Sequence, residues 1–417
     1  MRIVQLILLI LLLILAAFLP VVYVRSNIET NAFDQDLFFG VTYGGNTTSE
    51  AKLLIDKVKG YANLFVVDSW EITGAPNETA LDEICQYAVD AKMNIIVYFD
   101  MVYYNYTDLS SSRYNSSSWD LYGVTPWHTP WLNNAKKKWG NQFLGIYLYD
   151  EPGGKQIDTG FWYVYHPPRN ITTYANVSSY SDAANRYVRS LLRSRSMQHV
   201  VNSSAPGSIE PKMTVFTSDY ALYWFDYQAG YDALFAEVGG TEGMISKIKQ
   251  ISLCRGAAKM QDKHWGVIIT WTYDRPPYLE SGKEMLQDMI MAYGAGAKYL
   301  VIFNYPLNSP YGSLTEDHFT AMETFWNLIH QFPRNVFGNV ESQVAFVLPA
   351  DYGWGMRHLN DKIWGLWPPD NSSSIIWGKI NALIQRYGLK LDIIYDDPKF
   401  NFEGEYSKIY FRNSTIN

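Results

Sequence analysis

Short apolar runs recur along this chain, each closing on a polar or acidic residue and each followed by a stretch with helical spacing. The runs are Phe38–Tyr43, Leu64–Asp68, Asn94–Asp100, Phe143–Tyr149, Met213–Ser218, Ala233–Val238, Gly266–Tyr273 and Tyr299–Tyr305. They are apolar on both faces and rich in β-branched or aromatic residues, as buried parallel strands are. Between them the periodicity predicts helices over Ser49–Tyr61, opening on a Ser cap, and over Thr79–Ala91, Trp131–Trp139 and Tyr180–Arg195. A short helix around Ala221–Gln228 follows, then Glu242–Met260, Gly282–Tyr293 and Thr315–Gln331, the last with acids in its first turn. Eight strands, each followed by a helix, predict an α/β fold: a (β/α)8 barrel over residues 31–335. A doubly wound open sheet would carry a Gly-rich phosphate loop after its first strand. Tyr43-Gly-Gly45 is too little to be one.

After Phe332-Pro333 the pattern restarts. Val344–Pro349 reads as a strand, Ile375–Tyr387 as an amphipathic helix, and Leu391–Tyr395 and Lys408–Phe411 as further strands. Residues 336–417 are therefore expected to form a partial parallel α/β segment. Its loop Asp351–Pro369 carries Trp354, Trp364 and Trp367 beside Arg357 and His358, and is expected to pack beneath the barrel rather than to act as a lid.

The N-terminus is different in kind. From Ile3 to Val24 only Gln5 and Pro20 interrupt an apolar stretch, with Arg2 before it and Arg25 after it. About 20 such residues span a bilayer, and no small-x-small cleavage site follows. Residues 1–30 are therefore expected to be an uncleaved signal anchor and linker, a single transmembrane helix in the cell membrane with the bulk of the chain outside the cytoplasm. Nine Asn-x-Ser/Thr sequons start at Asn46, Asn77, Asn105, Asn115, Asn170, Asn176, Asn202, Asn371 and Asn413; their number favours an exported glycoprotein. The only cysteines, Cys85 and Cys254, fall in apolar helical patterns and are expected to be buried thiols. Many sequons with so few cysteines suit an archaeal cell surface.

Composition narrows the chemistry. With 47% apolar and 18% charged residues the chain is globular, and a net charge of −7 without any basic run argues against nucleic acid as a partner. The seven histidines show no His-x-x-x-His or His-x-His spacing, and no Gly-x-Ser-x-Gly elbow occurs, so neither a metal nor another cofactor is expected. What the chain does have is acid at strand ends. The run Leu144-Gly-Ile-Tyr-Leu-Tyr-Asp-Glu-Pro-Gly-Gly154 stops abruptly at Asp150 and Glu151. Other strand ends deliver Asp68-Ser-Trp-Glu71, Asp100, Ser218-Asp219, Glu237, Trp271-Thr-Tyr-Asp274 and Asn304-Tyr305. In a barrel these ends share one rim, where the chemistry sits. Turns also favour Asp and Asn, so part of the set is structural.

An acidic, aromatic-walled rim suits sugar: carboxylates act as general acid and as base or nucleophile, and flat rings pack on pyranose faces. Asp68, Trp70, Asp100, Asp219, Trp271, Tyr273 and Asn304 are the expected substrate-binding residues, with Tyr103, Trp119, Trp127 and Trp224 as further platforms. A core role is the ordinary alternative for any single ring.

With Tyr-Asp-Glu-Pro-Gly-Gly on strand four and Ile-Thr-Trp-Thr-Tyr on strand seven, the chain resembles the glycoside hydrolase (β/α)8 superfamily. In its large retaining clan the strand-four acid donates the proton, which implies Glu151. That clan's nucleophile is a Glu ending strand seven; Asp274 stands there in this chain, and the nearest Glu is Glu280. The adjacent Asp150-Glu151 is similar to the pair of substrate-assisted hexosaminidases. That likeness implies that Asp150 orients the acetamido group of the substrate while Glu151 protonates the leaving oxygen. The tail resembles the start of the flavodoxin-like domain that follows the barrel in one β-galactosidase family. The expected function is an extracytoplasmic glycoside hydrolase acting on poly- or oligosaccharide, with Glu151 as acid, Asp150 as helper, and Asp274 or Glu237 as the partner carboxylate. The alternatives are a non-catalytic carbohydrate-binding or surface-layer protein on the same scaffold, and a polysaccharide deacetylase, which the missing His cluster disfavours.

Overall fold

The structure is a computed structural model. It describes residues 37–73, 78–99, 102–103, 121–122, 128–160, 176–194, 197, 200, 212–239, 242–273, 275–307 and 309–416. The expected signal anchor over residues 1–30 lies outside these, as do Asp100 and Asp274. Among the described residues no helix is long and apolar enough to cross a membrane.

Eight parallel strands close into a barrel: β1 Phe38–Tyr43, β2 Leu64–Val67, β3 Asn94–Phe99, β4 Phe143–Leu148, β5 Thr214–Asp219, β6 Ala233–Val238, β7 His264–Ile269 and β8 Tyr299–Ile302. Each pairs with its sequence neighbours, and β1 closes on β8 through Phe38 opposite Tyr299. The alternation that the sequence hides, because both faces are apolar, is real in space. Leu64, Val66, Ile96, Tyr147, Phe216, Phe235, Ile268, Tyr299 and Val301 fill the interior, and the residues between them pack outward under the helices. The interior is strongly aromatic: Phe216 and Phe235 stack at 5.8 Å, and Tyr147 lies over Phe235 at 6.0 Å.

The outer layer consists of α1 Thr48–Val58, α2 Glu78–Asp90, α3 His128–Trp139, α4 Pro152–Thr159, α5 Tyr180–Leu192, α6 Tyr223–Gln228, α7 Met244–Met260, α8 Gly282–Gly294 and α9 Glu316–Gln331. Two local readings change. The cap of α1 is Thr47, whose hydroxyl accepts from the Glu50 N–H at 3.2 Å, rather than Ser49. The Pro-Gly-Gly after Glu151 does not merely stop the strand. It starts α4, with Pro152 in the first turn, where its missing N–H has no partner to lose. Cys85 and Cys254 are both buried and free.

The tail adds a three-stranded parallel sheet in the order β10 Leu391–Tyr395, β9 Val344–Leu348, β11 Lys408–Phe411, with α10 Asn371–Tyr387. Residues 36–417 form one compact unit. The joint explains why α7 is buried on nearly every side and carries no clear apolar stripe: barrel strands lie on one face and the tail sheet on the other. Gly256 of α7 allows the closest approach, since a Cβ there would meet the Ile393 carbonyl at 2.6 Å. Beside it, buried Arg255 donates to Asp392 at 2.7 Å and to the Leu389 and Leu391 carbonyls at 2.6 and 3.0 Å, while Tyr406 donates to the other Asp392 oxygen at 3.0 Å. Asp392→Ala leaves that guanidinium buried without its counter-charge. Urea unfolding is expected to read a loss of about 3–5 kcal/mol; a loss below about 1 kcal/mol would contradict this account of the joint.

The Trp-rich loop does not lie beneath the barrel. Trp364 packs on Phe225 at 4.7 Å and on Tyr187 at 5.7 Å, Gln156 of α4 donates to the Trp364 carbonyl at 2.8 Å, and Arg357 donates to Asp158 of α4 at 2.7 Å. It therefore clamps α4 from outside. Two polar residues of α4, Gln156 and Asp158, meet a loop that brings matching carbonyl and guanidinium groups, which periodicity along either segment cannot reveal. Sequon residues Asn46, Asn176, Asn371 and Asn413 are exposed; the other five lie outside the described residues.

Candidate active site

The barrel delivers Asp68, Asp150, Glu151, Glu237, Trp271 and Tyr305 to its C-terminal rim. The arrangement turns on the residues that follow β4. Tyr149 and Glu151 both adopt the left-handed conformation, with φ of 59° and 50°. For a residue with a Cβ this backbone costs about 1–2 kcal/mol, and it changes what the sequence can do. In a straight strand Asp150 and Glu151 would point to opposite faces. Here the two turns bring both acids to one side, where Asp150 reaches Tyr147 and Ser218 while the charge of Glu151 bears on Glu237 from β6.

Asp219 at the end of β5 holds that turn. Its carboxylate is fully buried and accepts from the N–H groups of Gly153 (2.5 Å), Gly154 (2.8 Å), Tyr220 (2.7 Å) and Ala221 (3.0 Å). Two of these donors belong to the first turn of α4, so Asp219 supplies the acceptor that Glu151, at the cap position, does not. Burial pushes its carboxyl up to about 7, against the pull of the four donors. Asp219 thus faces backbone and not the cleft, unlike the sugar contact expected of it. Gly154 completes the turn, because a Cβ there would lie 2.1 Å from the Tyr220 ring.

The carboxyls hold their protons tightly. Burial first, and then the Asp150 charge, push Glu151 up to about 7, with Lys155 opposing. Glu237 is raised well above the ordinary carboxylate range by burial and by the charges of Glu151, Asp150 and Asp219. Its Oε1 lies 2.6 Å from Ser218 Oγ, which lies 2.6 Å from Tyr147 Oη, which in turn lies 2.9 Å from Asp150 Oδ1. Lys155 donates to the Asp150 carbonyl at 2.6 Å and stands 3.6 Å from its carboxylate.

Beside the cluster, Trp271 meets Tyr278 at 4.6 Å and Tyr305 at 5.0 Å, an aromatic wall at the ends of β7 and β8. Tyr273 and Tyr305 are among the exposed large side chains. A cavity of about 370 Å³ opens at the neighbouring part of the rim, lined by Tyr43, Asn46, Glu50, Glu71, Asn304 and Tyr311 among others. Asn304 is buried and its amide oxygen accepts from the Ser313 N–H and hydroxyl at 2.9 and 3.2 Å, so it pins the lip of this cavity. Trp224, expected as a platform, is buried against Tyr395 and Phe400 at the joint with the tail. Its indole belongs to the packing that a solvent-facing reading of the α6 segment misses. Asp68 ends β2 and its charge bears on Tyr147. Asp100, Asp274, Trp119, Trp127 and the side chains of Trp70 and Tyr103 lie outside the described residues. Among the described residues no group of three or more His, Cys, Asp or Glu is arranged to hold a metal ion. The hydroxyls of Ser218 and Tyr147 were not legible as site residues, since each sits in an apolar run as an ordinary interior position.

No family model matches the chain, and no curated protein matches it in sequence. Solved structures do resemble it in shape. A β-galactosidase from a Rahnella species superposes with a TM-score of 0.55 at 11% identity, over 93% of this chain and 67% of its own. A GH5_18 protein from Streptomyces cattleya, solved with GlcNAc, gives 0.52 at 11% identity over 90% and 98%. A variant of the same protein solved with Manβ1-4GlcNAc gives 0.50 at 10% identity over 90% and 99%. The likeness is one of fold alone, the (β/α)8 barrel.

Proposed function

We propose that the chain is a glycoside hydrolase that cleaves O-glycosidic bonds by carboxylate general acid catalysis, displayed outside the cytoplasm on the anchor expected at residues 1–30. The observation that carries this reading is the hydrogen-bonded series that joins Glu237 through Ser218 and Tyr147 to Asp150 at the barrel rim, with Glu151 next in the chain to Asp150. A proton donor must be protonated at working pH and lie against the atom it serves. Glu151, lifted to about 7, meets the first condition, and its place at the C-terminal rim of the barrel suits the second. Glu237 is the partner carboxylate that faces the positive charge developing at the sugar carbon. Asp274 is retained as a candidate partner from strand seven, and Trp271, Tyr273 and Asp68 as sugar contacts. Carbohydrate ligands in structures of the same fold support this substrate class.

The test is a panel of neutral, acidic and N-acetylated oligosaccharides, incubated with the full chain and followed by mass spectrometry for released sugar. Product release is expected on at least one class. Because Glu151 must carry its proton, the rate should fall roughly tenfold per unit above pH about 7. Binding without release across the whole panel would favour the alternative, a carbohydrate-binding protein on a hydrolase scaffold.

A further inference from the structure

Three oxygen-to-oxygen contacts run in series from β6 to the turn after β4: Glu237 to Ser218 at 2.6 Å, Ser218 to Tyr147 at 2.6 Å, and Tyr147 to Asp150 at 2.9 Å. Each needs one proton to be a hydrogen bond. The two hydroxyls supply two, so the third sits on a carboxyl at one end of the series. The Ser218 N–H also donates to Tyr147 Oη at 2.9 Å, so with a proton on Glu237 every valence is filled. Glu237 donates to Ser218, Ser218 to Tyr147, and Tyr147 to Asp150. Reversing every bond gives the other filled state, with the proton on Asp150 and Glu237 anionic. The surroundings of the two ends differ. Glu237 faces Glu151, Asp150 and Asp219. Asp150 faces Lys155 at 3.6 Å and has a side chain 39% exposed. Asp68 bears on Tyr147 between them.

We propose that Ser218 and Tyr147 form a proton wire that lets Glu237 give its proton to Asp150 and take it back without exchanging it with solvent across the occupied cleft. The purpose rests on the glycosidase reading. When positive charge develops on the sugar, Glu237 serves best as an anion; when the product leaves, it serves best neutral beside Glu151. In the step one proton moves from Ser218 to Tyr147 as Tyr147 passes its own to Asp150 and Glu237 passes its own to Ser218. Only O–H bonds break and form, and the charge moves from Asp150 to Glu237. Tyr147 and Ser218 are positioning residues in this scheme, since neither touches sugar.

The wire predicts signs that packing alone does not. In the native chain, ionising Glu237 leaves two protons for three contacts, so one hydrogen bond is lost. Tyr147→Phe keeps the ring against Tyr98 and Phe235 but removes that loss, because Ser218, left with only the long 3.5 Å contact to Asp150, turns its proton to the Glu237 anion. Its midpoint should fall by about one pH unit, the worth of one hydrogen bond. A drier pocket alone would raise it. Ser218→Ala removes the acceptor of the neutral acid together with the donor to the anion, so by the same count ionisation there loses no hydrogen bond; its midpoint should fall too, Ser218→Thr should restore it, and Tyr147→Phe should produce no further fall in the Ser218→Ala background.

The measurement is a pH titration of ¹³C-labelled Glu carboxyl signals in the folded full chain without substrate, with Glu237 assigned by its loss in Glu237→Gln. It reads the wire whether or not any glycoside is cleaved. A rise or no change in Tyr147→Phe, or an equal fall with and without the Ser218 hydroxyl, overturns the proposal. If Tyr147→Phe does not fold, the Ser218→Ala and Ser218→Thr pair decides it: a midpoint not lowered by Ala, or not restored by Thr, overturns it.

Discussion

Glu151→Gln lowers kcat/KM on oligosaccharides with poor leaving groups by roughly 10²–10⁴-fold, the usual scale of proton-transfer help. The amide fits the same space, but it has no proton to give to the bridging oxygen. An activated aryl glycoside leaves without much protonation, so its loss should be much smaller. The variant should also lose the fall in rate above pH about 7, because the group responsible for it is gone. Sugar affinity should stay within a few-fold, measured by calorimetry. Steady-state kinetics on the two substrate types checks all of this. Undiminished turnover of the unactivated substrate would mean that another carboxyl donates the proton, with Glu237 the first to examine.

Asp219→Ala is expected to cost about 3–5 kcal/mol in stability, measured by urea unfolding. The substitution leaves the Gly153, Gly154, Tyr220 and Ala221 N–H groups without their acceptor in a buried place. Each orphaned donor costs about 1–3 kcal/mol, and local relaxation recovers part of the sum. The negative end at the start of α4 disappears with it. Asp219→Asn should be little better, because its amide nitrogen presents donors to donors. A loss below about 1 kcal/mol in the Ala variant would mean that the turn carrying Glu151 holds itself.

Much of this was legible in the chain because buried strands announce themselves. The alternation of apolar runs with helical spacing marks the barrel, and Asp150, Glu151 and Glu237 stand out as acids where apolar runs end. What stayed hidden depends on contacts between distant positions. Asp219 reads as one more acid at a strand end, and only the return of Gly153 and Gly154, 66 and 65 residues away, shows which groups its oxygens meet. Pro-Gly-Gly reads as a breaker until Asp219 supplies the missing cap for α4. Ser218 and Tyr147 read as interior positions, because a hydroxyl at the top of a barrel looks the same in sequence as one at its floor. Trp224 reads as a platform because nothing local says that Tyr395 and Phe400 cover it.

The clamp on α4 has a consequence for how the protein comes into being. Gln156 is held by a carbonyl 208 positions further on, and Asp158 by a guanidinium 199 positions further on. At ordinary synthesis rates that distance takes roughly 10–40 s to translate. For that interval the emerging chain already carries its acids but not the groups that fix their angle. Competence therefore waits until the Trp364 loop has emerged and closed on a helix made long before it.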